Sequence, residues 1–137
     1  MKRERCIARI LVADDDQGIQ RSLAVSLTRA GFEVTTVDDG APAIALADGA
    51  KAAEFDIVMV DLHMKTSGLA VVRHYKRCYG ARVYCAVLSG EDDEATRSAC
   101  LEAGADDVFV KPIPATVLRR RLTDAATALR GSVARSA

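Results

Sequence analysis

The chain has 137 residues, half of them apolar and only 4% aromatic, and 19 Lys plus Arg offset 19 Asp plus Glu. That length fits one globular domain, and zero net charge argues against a general nucleic-acid binder or a polybasic membrane anchor. The charge is unevenly spread: +3 over residues 1–9, −8 over 10–110 and +5 over 111–137.

In chain order, residues 1–6 read as an N-terminal extension. The apolar run after Arg5 is too short for a secretory signal, so a cytoplasmic protein with reduced thiols is expected. Five short apolar runs follow, at Ala8–Ala13, Glu33–Val37, Ile57–Val60, Val83–Leu88 and Asp107–Val110. They are too short for helices and mostly rich in Val and Ile, so they read as strands. The first, third and fourth are nearly continuous in apolar residues, as in strands covered on both faces.

Helical patterns separate the strands. The first carries Ile19, Leu23, Val25, Leu27 and Ala30 and stops at Gly31, with Asp16 as its cap. The second places Pro42 in its first turn. The third carries Leu69, Val71, Val72 and Tyr75. The fourth runs from about Asp92 to Gly104, with Glu91, Asp92, Asp93 and Glu94 expected in its first turn. The fifth runs from about Pro114 to Leu129, and residues 131–137 read as a C-terminal tail.

Five (βα) units predict an α/β fold: a doubly wound, flavodoxin-like five-stranded parallel sheet of order 2-1-3-4-5. No apolar run is long enough to cross a membrane. The cysteines Cys6, Cys78, Cys85 and Cys100 form no CxxC pair and no metal spacing. Cys85 reads as a small core residue, and none is assigned a redox or metal role.

In such a sheet, ligands bind beyond the carboxyl ends of the strands. Strand one ends in Asp14-Asp15-Asp16, strand two in Asp38-Asp39, strand three in Asp61, strand four in Ser89 and strand five in Lys111-Pro112. Each residue has an ordinary reading: an acid after a strand caps a helix, a lone lysine is solvated, and Ser89 caps the fourth helix. Together they would bring three carboxylates, a hydroxyl and an ammonium to one edge. Carboxylates are crowded at a cost unless a cation holds them, and hard oxygen ligands suit Mg²⁺. Such a site is equipped for phosphoryl transfer to an aspartate.

Over residues 7–130 the chain resembles bacterial two-component receiver domains. The resemblance rests on four fragments: Ile10-Leu11-Val12-Ala13-Asp14-Asp15-Asp16, Asp61-Leu62-His63-Met64, Leu88-Ser89-Gly90, and Ala103-Gly104-Ala105-Asp106-Asp107-Val108-Phe109-Val110-Lys111-Pro112. It implies that Asp61 accepts a phosphoryl group from phosphohistidine of a sensor histidine kinase or a histidine phosphotransfer protein. Asp14, Asp15 and Asp61 would hold Mg²⁺ with the backbone carbonyl of His63, Asp15 being more direct than Asp14. Ser89 and Lys111 would contact the phosphoryl oxygens, and the Lys111–Pro112 bond is a candidate cis peptide. The implied activity is signalling rather than turnover of an external substrate. A fused or separate output domain and a homodimer are open, although no helix-turn-helix accompanies the receiver.

The chain departs from the family pattern. The Pro usual four residues after the phosphoacceptor is Lys65, and the Gly usual at eight comes at seven, as Gly68. The aromatic usual three before the lysine is Val108, and Phe109 should point to the other face. His63 and Glu91 stand where the family tunes hydrolysis of the acyl phosphate. The His63 imidazole reads as pocket rim, His74 as ordinary surface, and Arg119-Arg120-Arg121 as a solvated face. Two other functions compete: a pseudo-receiver that binds proteins without phosphate, and a phosphatase with an aspartate nucleophile after strand one. The latter lacks the Thr or Val expected after its DxD, since Gln17 and Gly18 follow Asp16.

Overall fold

The computed structural model describes residues 7–49 and 55–136, with side chains to residue 131. The 1–6 extension and Cys6 lie outside the described residues. The strands are β1 (Arg9–Ala13), β2 (Glu33–Val37), β3 (Ile57–Asp61), β4 (Tyr84–Ser89) and β5 (Asp107–Val110). The helices are α1 (Gln17–Arg29), α2 (Gly40–Ala47), α3 (Gly68–Tyr79), α4 (Glu94–Ala103) and α5 (Ala115–Ser136). All strand pairs are parallel, in the order β2-β1-β3-β4-β5, as the sequence predicts.

Alternation along the strands sorts the apolar side chains into two cores. Leu11, Val58, Val60, Cys85, Val87 and Val108 meet Ala43, Val71, Val72, Tyr75 and Cys100 on the side of α2, α3 and α4. Ile10, Val12, Ile57, Met59, Ala86, Leu88 and Phe109 meet Leu27, Leu118, Leu122 and Ala126 on the side of α1 and α5. This is the two-residue period of a pleated strand applied to strands covered on both faces. β3 is buried throughout, while β2 at the sheet edge alternates between exposed and half-buried positions. Val108 and Phe109 do point to opposite sides.

Most helix N-termini are set by short polar side chains. Asp16, Asp39, Ser67 and Asp93 cap α1, α2, α3 and α4 by accepting from backbone amides. Gly104 ends α4 at φ +110°, in the left-handed region that a Cβ disfavours.

Three expectations change. The fourth helix starts at Glu94, so Glu91 and Asp92 lie in the preceding loop and Asp93 is the cap. The Asp93 carboxylate takes the Thr96 amide at 2.7 Å and wins that position over Ser89. Residues 131–136 of the predicted 131–137 tail are instead helical, because α5 continues to Ser136. Its sequence from Arg130 holds no proline, and the only glycine, Gly131, is tolerated within a helix. Arg121 is more than a solvated residue: it donates twice to Asp107, at 3.2 Å each, and its guanidinium lies 5.6 Å from the Phe109 ring centroid. Among the described residues no helix is long and apolar enough to cross a membrane.

Candidate acidic site at the carboxyl edge of the sheet

The register of the central strands carries the predicted residues to one edge. Asp61 ends β3 opposite Leu88, and Ser89 ends β4 opposite Val110. The Leu62 amide donates to Leu88 O at 2.9 Å, and the Lys111 amide to Ser89 O at 2.7 Å. These bonds extend the ladder one residue past the strands, so the side chains beyond it are held by a rigid sheet.

Asp14, Asp61 and Ser89 are the buried polar residues of the described chain. Lys111 reaches over them, its Nζ 2.9 Å from Asp61 Oδ1 and 3.8 Å from Asp14 Oδ2. Asp15 is exposed, and one carboxylate oxygen each from Asp14, Asp15 and Asp61 lies within 4.8 Å of the others. The Asp16 amide donates to Asp14 Oδ1 at 2.9 Å. The other oxygen, Oδ2, is buried with no hydrogen-bond partner.

Burial raises the Asp14 pKa above the usual carboxylate value; the Asp16 amide opposes this and the charge of Asp61 adds to it. Burial alone would pull Lys111 down, but its hydrogen bond to Asp61 and the charges of Asp14 and Asp61 raise it above the usual lysine value. Lys111 is therefore a fixed cation. It hydrogen-bonds Asp61 and leaves Asp14 Oδ2 without a hydrogen bond.

With Lys111 Nζ no nearer than 3.8 Å, that oxygen has a cation in range but no hydrogen bond, and it is the strongest mark of room for a second positive charge. The three donors are all carboxylates, with Asp15 open to water. A hard, partly hydrated cation fits them, whereas a soft ion would want nitrogen or sulfur. The sequence-predicted residues Asp14, Asp15, Asp61 and Lys111 are thus brought together. Ser89 stands at the same edge, its Oγ accepting from the Glu91 amide at 3.0 Å and donating to Glu91 O at 3.2 Å. The Lys111–Pro112 peptide is cis.

The His63 imidazole belongs to the rim. Its Nε2 is 2.5 Å from Glu91 Oε1, with both side chains more than half exposed. The pair joins the β3–α3 loop to the β4–α4 loop beside the acidic edge. Lys65 is exposed. The shortened loop closes through Gly68, whose amide donates to Leu62 O at 3.2 Å. A Cβ there would stand 2.4 Å from Asp61 O, so the chain passes where only glycine fits.

Two supporting residues were not evident in the sequence. Gln20 Nε2 donates to Asp14 O, Val37 O and Asp38 Oδ1, tying the ends of β1 and β2 to α1. Asp39 Oδ1 accepts from the Thr66 amide at 2.8 Å, tying the β3–α3 loop to α2. The Thr66 amide holds the Asp39 carboxyl below the usual carboxylate range. An acid after a strand, such as Asp39, and a Gln one turn into a helix are too common to signal either contact.

Comparison with known proteins agrees with this architecture. Residues 10–123 match the family model described as the response regulator receiver domain. The transcriptional regulatory protein PrrA of Mycobacterium tuberculosis is 38% identical over 129 residues, covering 93% of this chain and 53% of PrrA. The response regulator MprA of Mycolicibacterium vanbaalenii is 37% identical over 115 residues, covering 83% of this chain and 48% of MprA. The chain therefore spans about half the length of these relatives. A response regulator receiver domain protein from Clostridium thermocellum superposes with a TM-score of 0.81 at 25% identity, over 90% of this chain and 97% of that one. The BeF3-activated DrrB receiver domain gives 0.76 at 25% identity, over 86% and 96%.

Proposed function

Since the chain belongs to the response regulator receiver domain family, a signalling module of two-component systems, we propose that its residues 7–130 accept a phosphoryl group on Asp61 in a Mg²⁺-dependent reaction. The observation that carries this reading is the buried Asp14 Oδ2, which has no hydrogen bond, beside a carboxylate already bonded to Lys111.

Asp14, Asp15 and Asp61, with the His63 carbonyl, would hold the ion. Bound there, it would offset the charge that three carboxylates and a phosphoryl group bring together. An Asp61 carboxylate oxygen attacks phosphorus; the new O–P bond forms as the P–N bond to the donor imidazole breaks, and the imidazole leaves. The sheet holds Asp61 in place, so little reorganisation is required. Lys111 Nζ, 2.9 Å from Asp61 Oδ1, exchanges part of that contact for a phosphoryl oxygen. The Ser89 hydroxyl breaks its short loop with Glu91 to donate to another. That exchange gives the phosphorylated state contacts that the free state lacks, which is what a two-state switch requires.

The donor in this reading is a sensor histidine kinase or histidine phosphotransfer protein. The readout is a fused or separate output domain, with a homodimer as one form of it, and the setting is the cytoplasm. Direct contact with nucleic acid is not part of the reading. The chain is incubated with Mg²⁺ and acetyl phosphate, and intact mass is followed, with Asp61→Asn as control. Wild type should gain one phosphoryl group and Asp61→Asn none. Labelling of the Asn variant at the wild-type rate overturns the assignment. Failure of wild type to respond to Mg²⁺ or beryllofluoride would favour a phosphate-independent protein-binding module.

A further inference from the structure

Away from the acidic edge, α2 and α3 bring together three side chains of three donor types. Asp48 caps the C-terminal end of α2, and His74 and Cys78 lie one turn apart on α3. The four-residue spacing puts both on one helix face. His74 Nε2 is 2.9 Å from Asp48 Oδ1, and one ligand atom from each of the three residues lies within 4.8 Å of the others.

Contacts outside the trio hold its frame. The Tyr75 hydroxyl donates to Ala43 O at 2.7 Å, and the Tyr79 hydroxyl to Ala47 O at 2.5 Å. Both bonds run from α3 to α2, and the second ends on the residue next to Asp48. Asp48 is therefore held against α3 without help from His74 or Cys78.

We propose that Asp48, His74 and Cys78 form a second metal site, which takes a borderline transition-metal dication such as Zn²⁺ and staples the end of α2 to α3. Carboxylate oxygen, imidazole nitrogen and thiolate sulfur are the donors of zinc sites, and sulfur discriminates against Mg²⁺. One carboxylate and one thiolate offset the two charges of the ion, and the imidazole binds neutral.

The geometry needs little movement. Metal–donor bonds of about 2.0–2.3 Å in a tetrahedron place donors about 3.4–3.6 Å apart. The His74–Asp48 pair would open by about 0.5 Å as the metal replaces the shared proton, and the sulfur would close from within its 4.8 Å limit. Asp48 and Cys78 are exposed, so their desolvation costs little and water has access to a fourth position. The ion pair alone would account for Asp48 and His74 and leave Cys78 without a part. The two sites would sort ions by softness: oxygen-only donors at the carboxyl edge, mixed N, O and S donors between α2 and α3.

The test is a Co²⁺ titration of the full chain, thiols reduced, followed by absorption. A site of this kind gives thiolate-to-cobalt charge transfer in the near ultraviolet and visible bands of a four-coordinate ion. Both should saturate at one equivalent, resist excess Mg²⁺ and bleach with Zn²⁺. Cys78→Ser should abolish the charge-transfer band. His74→Ala and Asp48→Asn should each weaken binding by more than about tenfold, the lower end of what losing even a hydrogen-bond partner of a ligand costs. Asp61→Asn and Cys6→Ser should leave the titration unchanged, which separates this site from the phosphoacceptor and from the N-terminal thiol. Absence of the thiolate band, its survival in Cys78→Ser, or its loss in Cys6→Ser would overturn the proposal.

Discussion

Gly68→Ala asks how tightly the short β3–α3 loop is closed. The added Cβ would sit 2.4 Å from the backbone oxygen of Asp61 and 3.1 Å from Val60 Cγ2. Ordinary contact begins near 3.4 Å, so the two backbones must separate by about 1 Å. The obstacle is a peptide carbonyl at the end of a fully buried strand, not a flexible side-chain tip. Overpacking of this kind costs ~1–3 kcal/mol. Gly68 has ordinary negative φ, so alanine recovers up to ~1 kcal/mol through the unfolded chain. The net loss should be ~1–2 kcal/mol, which lowers the urea midpoint by roughly 0.5–1 M at a typical slope. Gly90→Ala is the matched control: its Cβ would meet nothing within 4 Å and its φ is also negative, so it keeps the unfolded-chain gain of up to ~1 kcal/mol and should unfold at or slightly above the wild-type midpoint. A Gly68→Ala midpoint equal to that of wild type or Gly90→Ala would refute the argument. So would a higher one. Because the clash falls on Asp61, Mg²⁺ should also stabilise this variant less than it stabilises wild type.

Mg²⁺ at about a hundred times its dissociation constant should stabilise wild type by ~2.7 kcal/mol, and Asp14→Asn combined with Asp15→Asn should lose that increment in thermal melts. His63→Ala and Glu91→Ala should each change the decay of the phosphorylated chain, since the pair spans the mouth at 2.5 Å; equal half-lives in both would end that role. Tyr75→Phe should cost ~0.5–1.5 kcal/mol in urea unfolding, because it removes the buried 2.7 Å hydrogen bond to the Ala43 carbonyl. Asp39 has its pKa lowered by the Thr66 amide, so its contribution to stability is present above the ordinary carboxylate value and is lost as pH falls through the depressed native value. The stability gap between wild type and Asp39→Ala should therefore close on acidification; a gap that stays constant through that window would show that the carboxylate is not what holds Thr66.

The strands were legible because burial on both faces leaves a continuous apolar run; β1 and β3 differ from their expected limits by one residue at one end, and β4 by one residue at each end. Asp14, Asp15, Asp61, Ser89 and Lys111 were legible because strand ends converge in any parallel sheet. Contacts across loops were not. Gln20, Asp39 and the Asp48–His74–Cys78 trio depend on which helix packs beside which, and no local period encodes that. Asp48 and His74 are 26 residues apart. The start of α4 shifted for a local reason, since any of four consecutive acids looks acceptable until one of them takes the Thr96 amide. Cys85 was legible as a core thiol: burial pushes it up to about 12, out of reach of thiolate chemistry at neutral pH.

The two cores have a consequence for how such a chain can diverge. Val58 and Ile57, or Val87 and Ala86, are neighbours in sequence but contribute to cores separated by the sheet. A change in one core leaves the packing of the other nearly untouched, as for well-separated sites. The α1–α5 surface and the α3–α4 surface can therefore acquire different partners on independent schedules. At the carboxyl edge that independence ends: Asp61 follows the phase of Ile57 and Met59, while Ser89 follows that of Cys85 and Val87. A group bridging those two residues would make one surface's history matter to the other.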